Sequence, residues 1–161
     1  MHINTLNNLI LSLSERVHES VTQSNGDQST SAAATLAILA SHPGLSIKGI
    51  AEHLGLSHSA TVRLIDRLEK DWLVRRSRKR GREVRIELTA TGQRAARRLN
   101  TARQQAMADL LEGVSEEGHR NLRSGLSELL AANAGRDTMP TRWCRLCDKD
   151  GCDASVCPCR A

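Results

Sequence analysis

LSIKGIAEHLGLSHSATVRLIDRLEK, residues 45–70, decides the fold. Ser46 can cap a short helix carrying Ile47, Ile50, Ala51 and Leu54, and Gly55 ends it. Ser57 caps a second helix that runs to about Asp71, with Ala60, Thr61, Leu64, Ile65 and Leu68 facing inward at three-and-four spacing. Two short helices around a glycine turn read as a helix-turn-helix. The next residues add a second element: WLVRRSR (72–78) and REVRIELT (82–89) are strand-like runs joined across Lys79, Arg80 and Gly81, a hairpin with glycine at its tip. A helix-turn-helix followed by a basic hairpin is a winged helix.

Working outward, Ile3, Leu6, Leu9, Ile10, Leu13, Val17 and Val21 make one apolar stripe on a first helix. SNGDQST (24–30) is a polar turn, and Ala32 to Ser41 is an alanine-rich helix stopped by His42, Pro43 and Gly44. Beyond the hairpin, Thr89 or Thr91 caps a long helix carrying Ala95, Leu99, Ala102, Ala106, Leu110 and Leu111. Ser115 with Glu116 and Glu117 starts another, striped by Leu122, Leu126, Leu129 and Leu130. The outer helices carry apolar stripes outside the compact winged helix, so they are expected to bury these against each other and a second copy of the chain in a two-fold dimer. The fold class is thus mostly α: a winged helix-turn-helix with a two-stranded wing and a helical dimerisation region. The expected organisation is a dimerisation helix at 1–28, a DNA-binding winged helix at 29–92, dimerisation helices at 93–135 and a cysteine-rich metal or iron-sulfur tail at 136–161.

Composition narrows the function. Of 161 residues, 39% are hydrophobic and 25% charged, which excludes a mainly disordered chain, and no apolar run approaches the roughly 20 residues of a membrane span. Aromatic residues are 1%, Trp72 and Trp143 alone, which favours a helical aliphatic core and speaks against an aromatic-lined ligand pocket. The net charge of +5 is local: residues 74–85 hold seven basic residues against Glu83, leaving 16 basic and 17 acidic residues elsewhere. One basic patch suits a polyanion such as DNA. The N-terminus has no basic region and no small-residue cleavage site, so cytoplasmic location is expected.

A recognition helix enters the major groove by its N-terminal turns, which places His58, Ser59, Val62 and Arg63 at base edges. Arg63 can pair bidentately with guanine, His58 and Ser59 can donate or accept, and Val62 can meet a thymine methyl group. Arg67 and the Ser57 backbone suit phosphate. Arg78, Lys79, Arg80 and Arg82 in the wing would follow the backbone or enter the minor groove. Singly, each feature has a plainer reading: His58 as a solvated polar residue, the hairpin as a solvated face, the helix-turn-helix as a protein-binding module. Their order along the chain is what points to double-stranded DNA.

LSIKGIAEHLGLSHSATVRLIDRLEKDWLVRR followed by GREVRIELTATG resembles the DNA-binding region of MarR-family transcriptional regulators, and the resemblance in order and length covers about residues 3–135. It implies a dimer formed through the N- and C-terminal helices, a pseudo-palindromic operator and repression relieved by a signal. Arg82 matches the family's wing-tip arginine. Two positions depart from the pattern: Arg80 stands where an acidic residue usually braces that arginine, and Trp72 stands where glycine usually follows the recognition helix, so this helix must end without a left-handed glycine.

All five cysteines lie in the tail, as Cys144-x2-Cys147-x4-Cys152-x4-Cys157-Pro158-Cys159, outside the family's usual pattern. Clustered cysteines in a reducing compartment suggest metal or redox chemistry rather than structural disulfides. Three readings fit. Cys144, Cys147, Cys152 and Cys157 could hold an iron-sulfur cluster, whose ligand spacings are irregular and often end in Cys-Pro. The same four could bind zinc, although only one Cys-x2-Cys knuckle is present. Metal-free, the thiols could form a redox switch. Cys159 is spare or alternates with Cys157 as a ligand. No Ser/His/Asp or Cys/His arrangement, phosphate-binding glycine loop or HExxH supports an enzyme. The expected function is therefore a non-enzymatic, sequence-specific transcription regulator with a cluster-bearing sensory tail; an electron-transfer protein and a zinc adaptor are the alternatives.

Overall fold

A computed structural model describes residues 3–24, 28–78 and 84–134. Its elements are α1 (Ile3–Ser24), α2 (Thr30–Ser41), β1 (Leu45–Ser46), α3 (Ile47–Leu54), α4 (His58–Lys70), β2 (Val74–Arg78), β3 (Val84–Leu88), α5 (Ala90–Leu111) and α6 (Glu116–Ala134). This is the mostly helical winged helix-turn-helix expected from the sequence. The five-residue cysteine cluster, Cys144 to Cys159, lies outside the described residues.

Each short helix is opened by a hydroxyl cap. Ser29, Ser46 and Ser57 accept from the backbone N–H three residues on, at Ala32, Gly49 and Ala60, which satisfies donors that a helix start leaves unpaired. Gly55 closes α3 in the left-handed conformation, φ 65°, where a side chain would be strained. That turn sets α4 beside α3.

The wing is one strand richer than expected. β3 sits between β2 and β1, all antiparallel, with Val74 opposite Leu88, Arg78 opposite Val84, and Leu45 opposite Ile86. β1 is only two residues long and leads straight into the Ser46 cap, so it ties the root of the wing to the helix-turn-helix.

The core gathers Leu36 and Leu39 of α2, Ile50 of α3, Leu64, Ile65 and Leu68 of α4, Leu73 and Val74 beside the wing, Ile86 of β3, and Ala95, Ala96 and Leu99 of α5. α2 is the central post, buried on nearly every side, which its short side chains (TSAAATLAILAS) permit. Thr35 is fully buried without penalty because its hydroxyl donates to the Ser31 carbonyl at 2.7 Å. The inward face of α4 is as expected, except that Ala60 is half-buried.

α5 packs against α1 and α2, and its buried residues, Gly92, Ala95, Ala96 and Leu99, lie in its first turns, beside the winged-helix core. Leu6, Leu9, Ile10 and Leu13 of α1 and Leu122, Leu126 and Leu129 of α6 are exposed in the single chain. Among the described residues no helix is long and apolar enough to cross a membrane.

Candidate nucleic-acid interface

The cap that starts α4 also organises its leading turn. Ser57 Oγ accepts from Ala60 N–H at 3.2 Å and lies 3.3 Å from Ser59 Oγ, while the Ser57 carbonyl accepts from the Thr61 N–H and hydroxyl, both at 3.0 Å. Thr61 is buried and anchors the turn from inside. Outside, Ser57, His58, Ser59, Arg63 and Arg67 are exposed and Val62 is half-buried. With 3.6 residues per turn, Ser59, Arg63 and Arg67 form one row and His58, Val62 and Asp66 the next. The six α4-associated residues expected to meet DNA thus share one solvent-facing surface. Arg78 ends β2, and its side chain, like Lys79, Arg80 and Arg82, lies outside the described residues.

Part of the basic run is engaged within the protein. Arg75 stands opposite Glu87 across the hairpin and pairs with it at 2.9 Å. Arg76 leaves β2 toward α4, donating to Asp66 Oδ1 at 2.6 Å and to Glu69 Oε2, while its backbone N–H donates to Glu69 Oε1 at 3.2 Å. The hydrogen bond to Asp66 leads in raising the Arg76 pKa above its ordinary value, with attraction to Glu69 adding to it and desolvation opposing it. Arg85 of β3 donates to the Gly44 carbonyl at 3.1 Å. Counting charge along the chain could not separate these brace residues from DNA-facing ones. The register could, since Arg75 opposite Glu87 is an opposite-charge cross-strand pair.

At the far end of α4 the backbone turns without glycine. Trp72 itself adopts the left-handed conformation, φ 58°, and the residue is 78% exposed. Thr89 secures this turn: its hydroxyl donates to the Trp72 carbonyl at 2.6 Å, its N–H donates to Leu73 O, and its Oγ1 accepts from Gly92 N–H at 3.0 Å as the cap of α5. Of the two threonines proposed from sequence, Thr89 is the cap. The α4–β2 turn and the start of α5 are thereby one unit.

A helix-turn-helix whose second helix presents a capped polar edge beside an antiparallel wing is a winged-helix module. Residues 28–83 match the model of the MarR family, so this segment is similar to the winged helix of that family. The fold is similar to that of a MarR family protein from Bacillus stearothermophilus (25% identity over 80% of this chain and 95% of that one, TM-score 0.71). It is also similar to Streptococcus pneumoniae FabT in complex with DNA (19% identity, 84% and 100% covered, TM-score 0.73). A third similar structure is MepR, a regulator of the Staphylococcus aureus multidrug efflux pump MepA (21% identity, 82% and 98% covered, TM-score 0.69). No curated protein matches the chain.

Proposed function

We propose that the chain is a cytoplasmic, homodimeric transcription regulator that binds a pseudo-palindromic double-stranded DNA operator and represses. The observation that carries this reading is the exposed leading edge of α4, with Ser57, His58, Ser59, Val62, Arg63 and Arg67 on one surface, held at a fixed angle to the wing by Arg76. A similar fold in complex with DNA supports it. His58, Ser59, Val62 and Arg63 read bases, and Ser57, Arg67, Arg78, Lys79, Arg80 and Arg82 hold phosphates or the minor groove. The exposed leucines of α1 and α6 meet their counterparts in a second copy, which sets two recognition helices about one helical turn, roughly 34–36 Å, apart.

The experiment selects an operator from a random duplex pool and compares the parent with the variant Arg63→Ala, Arg82→Ala. Loss of operator binding with an unchanged circular dichroism spectrum is expected. Undiminished binding by the folded variant would remove the assignment and leave the electron-transfer and adaptor readings.

For the tail we propose an iron-sulfur cluster on Cys144, Cys147, Cys152 and Cys157, sensing redox or iron status. It is supported by the confinement of every cysteine to residues 144–159 and by Cys157-Pro158. Broad absorbance at about 320–460 nm after anaerobic purification, with iron and sulfide present, is the expected result. A colourless protein with one zinc per chain would make the tail a staple, and thiols without metal would make it a switch. Equal operator affinity with the cluster intact and removed would separate the tail from regulation.

A further inference from the structure

His42, at the end of α2, and His53, in α3, bring their imidazole rings together at a tilt. His42 is the residue that ends α2, its backbone N–H donating to Ile38 O, and His53 lies in the last turn of α3. Their ring centres are 5.3 Å apart and the ring planes are tilted by 56°. Two imidazoles bound to one ion at the tetrahedral angle, with bonds of about 2.0–2.1 Å, have ring centres roughly 5 Å apart.

The protonation of His53 is also arranged for ligation. Its Nδ1 lies 2.8 Å from the Gly49 carbonyl oxygen. A carbonyl can only accept, so Nδ1 carries the hydrogen and the lone pair of the neutral ring resides on Nε2. A backbone carbonyl that holds the second ring nitrogen is the usual outer support of a metal-bound histidine, fixing tautomer and ring orientation before the ion arrives. Both residues are half-buried, so the pair is partly shielded from water.

We infer that His42 and His53 form a divalent transition-metal site that clamps the end of α2 to the end of α3. Among the described residues no third His, Cys, Asp or Glu completes a cluster with them. The ion therefore keeps water in its remaining positions, and the site exchanges metal more readily than a closed four-ligand centre. Imidazole ligands select zinc, nickel or copper over magnesium and calcium. Because Gly55 joins α3 directly to the segment capped by Ser57, an ion here fixes the support on which the leading edge of α4 rests. This inference stands apart from DNA binding and from the cysteine tail.

Zinc chloride titrated into the full-length protein, with histidine side-chain 1H–15N spectra recorded at each step, tests it. The free protein is expected to show His53 protonated on Nδ1. Added zinc is expected to shift the His42 and His53 resonances together, with one half-saturation point, after the cysteines have taken their share. His53→Gln should weaken the response of His42 at least about tenfold, and His42→Gln should do the same to His53. His58→Gln should change neither response. If either variant fails to fold, the other and the parent titration still decide. Stationary His42 and His53 resonances while the protein takes up zinc, or a His42 response indifferent to His53→Gln, would overturn the site.

Discussion

Trp72 takes a left-handed backbone conformation that costs an L-residue roughly 1–2 kcal/mol relative to glycine. Its polar backbone partners, Glu69 O and the Thr89 hydroxyl, would serve glycine equally well, and its indole is mostly in solvent. Trp72→Gly should therefore stabilise the isolated fold by about 1 kcal/mol, seen as a melting point roughly 2–4 °C higher. A lower melting point would show that the indole packs on something in the assembled protein. Gly92 is the opposite case. A Cβ there would fall 1.9 Å from the Leu73 carbonyl oxygen, so the start of α5 can approach the β2 entry only without a side chain. Gly92→Ala should cost roughly 2–3 kcal/mol, measured as a lower urea midpoint, and an unchanged midpoint would mean that α5 is seated otherwise. The two residues differ in legibility. Trp72 was visible as a departure from the family pattern, and a helix without a left-handed glycine was the right expectation, but the left-handed turn persists with tryptophan because Thr89 holds it. Gly92 was part of the resemblance, and only the three-dimensional approach of Leu73 gives the reason for it.

Helix α4 and strand β2 illustrate the same division between elements. The caps Ser46 and Ser57, the Gly55 turn and the inward face of α4 could be read because each depends on residues within four positions of one another. β1 could not, since Leu45 and Ser46 become a strand only by pairing with Ile86 and Arg85 some 40 residues on. Nor could the role of Arg76, whose partners Asp66 and Glu69 lie seven to ten residues earlier on another element. Its guanidinium, with a raised pKa, stays charged up to pH values above its ordinary range, so this tie does not weaken as pH rises through neutrality. The three side chains are partly solvated, which limits the tie to about 1 kcal/mol of stability. Its larger effect is on orientation. Arg76→Ala should leave the melting point within a few degrees of the parent and lower operator affinity several-fold, with less effect on binding to random duplex. Arg76→Lys should recover only part of the loss, because one ammonium cannot fork between two carboxylates. Equal losses on operator and random DNA would assign Arg76 to phosphate contact instead.

For the molecule as a whole, the apolar edges of α1 and α6 are the surfaces on which the proposed dimer rests. Leu9 is 58% exposed and Leu126 46% exposed in the single chain, and neighbouring leucines extend both faces. The three-and-four spacing made these stripes legible in the sequence, but which of them the chain buries on itself was not: α1 packs on α5 while keeping Leu6, Leu9, Ile10 and Leu13 outside. An apolar face of this extent is what the proposed second copy would cover. Leu9→Glu with Leu126→Glu places like charges on both faces and should convert the proposed dimer to a monomer in analytical ultracentrifugation, with the winged-helix core intact because neither residue belongs to it. Salt dependence then gives an independent reading. Log affinity falls with log salt by about 0.9 for each phosphate neutralised, so a monomer touching one half-site should show about half the parent's slope. It should also bind an isolated half-site and the full operator with nearly equal affinity, since the gain from joining two modules is lost with the interface. A variant that is monomeric in solution yet keeps the parent's slope and operator preference would show that two chains assemble on DNA through another surface. A variant that remains dimeric would place the interface away from these leucines.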